Sequence, residues 1–593
     1  MVAAAGYLPA APTPPQGTRP TQQTATQLAD YSPRPAFHLE SDLFAQRLQL
    51  TLSCQLSIHW VSAAIMTTTR VLMVYPKFNP NWFWNIQPVC DIAGARCVEP
   101  PLGLITVAAL LPVDWQIRLV DRNAEKLREC DLDWADLDMT GGMIPQQPDT
   151  LELIDICHRR GKPVVIGGPA VTSTPEAFDH ADFLVLGEAE GVIDQFIDAW
   201  TSGTKRGVFD ARVMQVDVTR SPVPRFDLLK PAFYLCLAVQ FSRGCPFNCE
   251  FCDIIELYGR LPRTKTNQQM LAEVDAIHRM GYRGHVDFVD DNLIGNKKAV
   301  KKFLPDLREW QERHGYPFKF STEASINLSD DPVLLGLMRD TKFFTVFVGI
   351  ETPDTETLVT LQKKQNTRRS IADSIHRIYS AGIFVTAGFI IGFDTEREGV
   401  ADSMVKCIEE SSIPVCLLGL LAALPNTQLT RRLQREGRLL YLYADKVDQI
   451  TGVLNFITLR PRHEILADFK SVVERIYAPT AYFARVRALG RALKAQHQPI
   501  ARPLKCLSRD LKTFGRLAWQ MNVRKPHLCR HFWGTLIDCA RHNIDAMEGV
   551  LWMMIVYLHL ANFADFVTRE VNSQLETARQ DALQQKPLAM TAV

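Results

Sequence analysis

Val71–Tyr75 (VLMVY) is apolar at every position, and runs of this kind recur along the 593-residue chain with a helical stretch between each pair. A strand with one wet face alternates polar and apolar residues. A continuous apolar run marks a strand covered on both faces, which is the habit of parallel sheets sandwiched by helices. Gln116–Val120, Leu137–Gly141, Pro163–Ile166 and Phe183–Leu186 continue the series, with helices read over Pro100–Leu111 and Leu151–Arg160. Five such strands predict an α/β, flavodoxin-like, doubly wound domain. A second series runs through Leu235–Phe241, Val286–Val289, Lys319–Ser321, Phe344–Val348, Phe384–Ala387 and Val415–Ala422. Helices such as Asn267–Met280 and Asp331–Asp340 separate these strands, and the pattern predicts a partial (β/α)6 barrel. Past about Arg438 the strand signal fades into helical periodicity. The expected division is an extension over 1–65, a doubly wound domain over 66–215, a barrel over 216–438 and a mostly α-helical domain over 439–593.

Cys245, Cys249 and Cys252 stand in a Cys-x3-Cys-x2-Cys arrangement directly after the first strand of the second series. Three thiolates on one loop can wrap a [4Fe-4S] cube and leave one iron without a protein ligand. That iron can be chelated by the amino and carboxylate groups of S-adenosylmethionine, whose sulfonium C–S bond an electron from the cluster then breaks. A structural zinc site asks for four ligands, and no fourth Cys or His stands near; Cys236 falls inside the strand.

Barrel and doubly wound sites both lie at the carboxyl ends of strands. There the barrel carries Asp290 and Asp291, able to accept from the amino group of S-adenosylmethionine. It also carries Glu351, able to accept from ribose hydroxyls, Glu323, and the glycines Gly388 and Gly392, where backbone can approach adenosine. Arg243 beside the cysteines can pair with a carboxylate. The plainer reading of acidic strand ends is helix capping. In the first domain the strands end in Gly141-Gly142, Gly167-Gly168 and Gly187, which either admit a flat ligand or make tight turns.

The composition narrows the setting. A net charge of +1 argues against a polyanion as partner of the whole chain, and no nucleic acid is expected. Fourteen cysteines without a short-spaced framework fit a reducing cytosol. No secretory signal and no unbroken run of 18 apolar residues is seen. Residues 1–65 are rich in Pro, Ala, Thr and Gln and read as disordered, with Met66 a candidate start. Between Arg460 and Arg530 there are 16 Lys or Arg against four acids, followed by the apolar stretch Gly549–Phe563. This is plain structure, with a solvated basic face and a core helix, or a peripheral dock on an anionic membrane surface or for a lipid substrate, with nucleic acid as the remaining alternative for this stretch.

Tyr75-Pro76, Pro100-Pro101-Leu102-Gly103-Leu104 and Ile166-Gly167-Gly168-Pro169, together with Cys252-Asp253-Ile254-Ile255-Glu256-Leu257-Tyr258-Gly259-Arg260, Pro262-Arg263-Thr264-Lys265 and Asp290 through Lys298 (DDNLIGNKK), resemble the cobalamin-dependent radical S-adenosylmethionine enzymes. Among them the chain most resembles the hopanoid C-2 methylases. The resemblance implies cobalamin on the first domain at Gly141, Gly167, Gly168 and Gly187, and Phe251 near adenine. It implies methylation of an unactivated carbon of a triterpenoid lipid, with a flavodoxin or ferredoxin as electron donor. One S-adenosylmethionine would methylate cobalamin and another would give the 5′-deoxyadenosyl radical. The chain departs from many cobalamin domains in lacking Asp-x-His-x-x-Gly after the first strand; His158 lies in a helix and reads as a surface residue. Relatives with the same two domains that perform oxidative cyclisation, or methylate peptides and other natural products, are the alternative. A vestigial first domain and a non-enzymatic iron–sulfur or lipid-binding protein are further ones.

Overall fold

The computed structural model describes residues 68–441, 454–494 and 504–584. The expectations for residues 1–65, including a start at Met66, lie outside the described residues.

Six parallel strands form the first sheet: β1 (Arg70–Tyr75), β2 (Gln116–Asp121), β3 (Leu137–Gly141), β4 (Val164–Gly167), β5 (Phe183–Leu186) and β6 (Gly207–Asp210), in the order β2-β1-β3-β4-β5-β6. This is the expected flavodoxin-like order with one strand added at the edge. The pattern of β6, GVFD, alternates half-buried and exposed residues, so it offers no apolar run to read. Side chains of β1 alternate between two cores, Val71 and Met73 on one face and Leu72 and Val74 on the other.

The short strand β7 (Leu237–Val239) enters the barrel, and β8 (Ser242–Arg243) pairs antiparallel with β9 (Arg263–Thr264) to frame the cysteine loop. The barrel continues with β10 (Gly284–Phe288), β11 (Phe318–Glu323), β12 (Phe343–Glu351), β13 (Phe384–Ile391) and β14 (Cys416–Leu420), all parallel, in the order β14-β13-β12-β11-β10-β7. The sheet does not close on itself, as expected of a partial barrel. Residues 96–98 of the first domain run alongside the lead into β7, with Leu235 N–H donating to Cys97 O at 3.0 Å and Cys236 N–H to Val98 O at 3.0 Å.

The C-terminal helices are Arg462–Tyr477, Pro479–Ala492, Leu504–Trp519, Cys529–His542 and Met547–Gln584. The last is long and apolar enough to cross a membrane by length and composition. Its apolar side is instead spent inside the protein: Val550, Met554, Leu560, Val567 and Val571 are buried. Near its start Glu548 pairs with Lys319 of β11 at 2.6 Å, and Gly549 lies against the ring of Phe384 at the head of β13. Further along, the His559 ring meets the carbonyl of Phe83 at 2.8 Å. Of the two readings of Gly549–Phe563, the core helix is the one that these contacts fit, and the helix joins the barrel's foot to the first domain.

Candidate active site

The cysteine loop is held from below by two carboxylates on the turn that follows β10. Asp290 is buried, and its oxygens accept from the backbone N–H of Phe241 at 2.9 Å and of Ser242 at 2.5 Å, and from the Ser242 hydroxyl at 2.5 Å. Asp291 accepts from Gly244 N–H at 3.0 Å. Burial pushes these carboxyls up to about 7 and about 6. Gly244 has φ +92°, and a Cβ there would lie 2.9 Å from Gly259 O, so the turn into Cys245 admits only glycine.

Burial pushes all three thiols above the usual cysteine value. Iron draws such thiols into the thiolate form as it binds. The three sulfurs do not gather within 4.8 Å of one another, as the ligands of a single ion must; among the described residues only Asp275, His278 and His314 do so. Thiolates set wider suit the separate corners of an iron–sulfur cube. Two amides face them: Asn292 Nδ2 lies 3.8 Å from Cys245 Sγ and Gln365 Nε2 lies 3.9 Å from Cys249 Sγ. A thiolate accepts only, so each amide presents its NH2.

Glu351 ends β12 at a bulge with φ +67°, a left-handed conformation that a glutamate holds only under constraint. Its carboxylate pairs with Lys363, and both side chains are buried. The Lys363 ammonium stands 5.8 Å from the ring of Phe251, which packs toward Phe393. Gly392 has φ +113° and a Cβ there would come 2.8 Å from Leu454, so the close approach at that position is to the chain itself.

The glycines of the first sheet behave likewise. A Cβ on Gly141 would lie 2.7 Å from Gly167 O, one on Gly168 3.2 Å from Gly142 N, and one on Gly187 2.9 Å from the Ala211 carbonyl carbon. Gly167 meets Val185 at ordinary contact distance. These residues let the loops after β3, β4 and β5 nest into a level edge. Thr140 at that edge is buried with its hydroxyl unpartnered. His158 pairs with Asp182 at 2.9 Å near the surface.

This edge is bolted to the cysteine loop. Arg243 pairs with Glu188 at 2.9 Å and Glu190 at 2.8 Å, and Arg263 with Glu188 at 2.6 Å, all four side chains at most 12 % exposed. Burial opposes the ionisation of Glu190, but the Arg243 charge and hydrogen bonds overcome it and hold that carboxyl down at about 2. On the far side Asn426 Nδ2 donates to Ser173 O at 3.0 Å. The carboxyl ends of the two sheets thus face each other, a natural seat for ligands of both.

Inside the barrel, the strand faces turned from the helices present His285 and Asp287 of β10, Ser321 and Glu323 of β11 and Phe347 of β12. Glu99 reaches them from the first domain, accepting from Cys236 Sγ at 3.4 Å. Burial pushes Glu99 up to about 8 and His285 down to about 4, which favours the uncharged form of each at neutral pH, while Glu323 at the end of β11 is exposed. Trp84 lies edge-on to Phe347 with ring centres 5.6 Å apart.

The radical SAM superfamily pattern matches residues 239–406, and a domain of unknown function (DUF4070) matches residues 427–573. An uncharacterised methyltransferase of Synechocystis sp. is 42 % identical over 88 % of this chain and 98 % of its own length. The hopanoid C-2 methylase of Rhodopseudomonas palustris is 35 % identical over 85 % of this chain and 95 % of its own. The chain belongs to the radical S-adenosylmethionine methyltransferase family. It is an enzyme of that family, with a [4Fe-4S] cluster and S-adenosylmethionine as its working groups and a need for a reductant. In fold it is similar to the cobalamin-dependent radical enzyme OxsB with aqua-cobalamin bound, with a TM-score of 0.54 at 14 % identity over 87 % of this chain and 82 % of that one. It is also similar to the methyltransferase TsrM from Kitasatospora setae with cobalamin and a [4Fe-4S] cluster bound, with a TM-score of 0.51 at 16 % identity over 62 % and 78 %.

Asn292 falls in the DDNLIGNKK stretch, and its place four residues past the end of β10 is the available signal. Gln365, Lys363 and Glu190 carry no spacing signal; only the folded chain brings them to the cysteine loop.

Proposed function

We propose that the enzyme is a cobalamin-dependent C-methyltransferase acting on an unactivated carbon of a triterpenoid lipid, with C-2 of a hopanoid as the carbon methylated. The observation that carries the reading is the buried Glu188–Arg243–Glu190 bolt, which sets the ligand edge of the first sheet against the cysteine loop. Cysteines 245, 249 and 252 would hold the cluster, which supplies the electron that cleaves S-adenosylmethionine. The loops after β3, β4 and β5, with the unpartnered Thr140 hydroxyl, would hold cobalamin, which supplies the methyl group.

The chain's own residues position and exclude. Asp290 and Asp291 fix the loop, and Glu351 with Lys363 fixes the wall beside Cys249. Burial holds Glu99 and His285 toward their neutral forms, which lowers the charge that a hydrocarbon substrate would meet inside the barrel. An unactivated C–H bond gives acids and bases no handle, so the chain has no proton to move at that carbon. The electron donor is read as a flavodoxin or ferredoxin, and the place of work as the cytoplasm, with peripheral contact at the inner face of the membrane as the finer reading.

Expression in a hopanoid-making bacterium that lacks ring-A methylation tests the reading. Mass spectrometry should then find hopanoids heavier by one methyl on ring A, absent with Cys249→Ala. Unchanged lipids, from cells in which the protein carries its cluster, would rule out the hopanoid substrate.

A further inference from the structure

Five large apolar side chains stand unusually bare on the C-terminal helices: Leu511 is 70 % exposed, Val523 62 %, Trp519 49 %, Ile537 47 % and Trp533 46 %. Single exposed apolar residues are ordinary, but a contiguous patch marks a contact surface. These belong together. Phe514, Trp533, Leu536, Ile537, Met547 and Leu551 line one groove of about 330 Å³ in which every lining residue is apolar. Leu511 precedes Phe514 by one helical turn. Trp519 and Val523 adjoin Trp533 through Asn522, whose Oδ1 accepts from the Trp533 indole N–H at 2.9 Å. With that donor satisfied within the protein, the groove has no hydrogen bond to offer a polar partner.

The surround is cationic. Residues 504–546 contain eight Lys or Arg against three acids, in a chain whose total charge is +1. Lys512, Arg524, Arg530 and Arg541 are exposed and make no ion pair among the described residues. The Arg524 guanidinium stands 5.4 Å from the Trp519 ring. Asp538 is already taken by Arg491.

We infer that this groove docks the enzyme on an anionic lipid bilayer, the aromatic and aliphatic side chains entering the headgroup boundary and the ring of arginines and lysines meeting lipid phosphates. Half-exposed tryptophans beside cationic side chains have the amphipathic form that such an interface favours. The surface differs from the apolar stretch Gly549–Phe563 that composition singles out, most of which is buried. Yet it adjoins that helix: Met547 and Leu551 line the groove while Glu548 and Gly549 touch the barrel's foot. A bilayer held there lies one helix away from the barrel. This deepens the lipid-substrate reading and rests on it.

Co-sedimentation of the full chain with vesicles tests the inference. Binding is expected to vesicles containing phosphatidylglycerol, to be weak on phosphatidylcholine alone, and to weaken as salt is raised. Leu511→Glu with Ile537→Glu should abolish it, while Val113→Glu, on a remote and fully exposed loop residue, should leave it intact. The same proteins are assayed for reductive cleavage of S-adenosylmethionine, which the double variant should retain if folded. Equal vesicle binding by wild type and double variant would overturn the inference. So would a concentration-dependent dimer of the wild type that the double variant loses, since a second copy would then be the occupant. Hopanoid methylation in cells without vesicle binding would sink the dock and spare the function; vesicle binding without methylation would sink the function.

Discussion

At Cys245 and Cys249, the proposed iron ligands, each sulfur also meets an amide. A reduced cluster carries one more negative charge than an oxidised one, so the N–H dipoles of Asn292 and Gln365 favour the reduced form. Asn292→Leu or Gln365→Leu should lower the midpoint potential of the cluster, read by titration with electron paramagnetic resonance on protein of full iron content. An unmoved midpoint would show that the two amides only pack. Much of this neighbourhood was legible before folding. The cysteine spacing, Asp290, Asp291 and Glu351 all announce themselves at strand ends. What could not be read was the partner of each group. Asp290 meets N–H groups of its own loop, and the strand-end glycines meet neighbouring backbone, because sequence tells that a side chain must be absent and not what fills its place. Gln365 was silent for a related reason: a single amide on a loop has no periodicity.

The helix Met547–Gln584 shows the same limit at the scale of elements. An apolar stretch of 15 residues has the same composition whether it faces lipid or a protein core. Strand patterns were better guides, since a continuous apolar run in a parallel sheet has one meaning; the edge strand β6 was missed because one side of it is wet. Two outcomes test the helix's place. Gly549→Ala would gain about 1 kcal/mol from helix propensity alone, but its Cβ would lie 2.6 Å from Phe384. Overpacking of this kind costs about 1–3 kcal/mol, so the melting temperature should fall; a rise would mean that Phe384 yields freely. His559 is buried, and burial pulls its imidazole from 6.5 down to about 4 while it donates to Phe83 O. The unfolded chain then binds the proton more tightly, so stability is whole above pH 6.5 and drains as pH falls to 4, by about 3 kcal/mol for the shift. His559→Gln keeps an N–H donor that does not titrate. Its stability should vary less between pH 6.5 and 4 than that of wild type, followed by denaturant unfolding; parallel curves would remove His559 from the account.

For the whole molecule, the parts expected on either side of 215 and 438 pack against one another. The described residues from Thr68 onward form one compact unit, and one buried core runs from Leu72 and Val74 through the barrel strands to Val567 and Val571. The order of parts was readable from periodicity, but their fusion was not, because it rests on contacts between residues hundreds of positions apart. The bolt of Glu188 to Arg243 and Arg263, 55 and 75 positions on, ties the first two parts over a shorter reach. Removing one partner of such a buried pair costs about 3–5 kcal/mol, and the two edges are expected to keep their register through turnover. Small-angle scattering curves with and without S-adenosylmethionine should therefore superimpose, and a compaction on binding would contradict this. The enzyme is a jig and not a jaw: its two working edges stand at a fixed gauge, and the tempo of catalysis belongs to the small molecules that trade places between them.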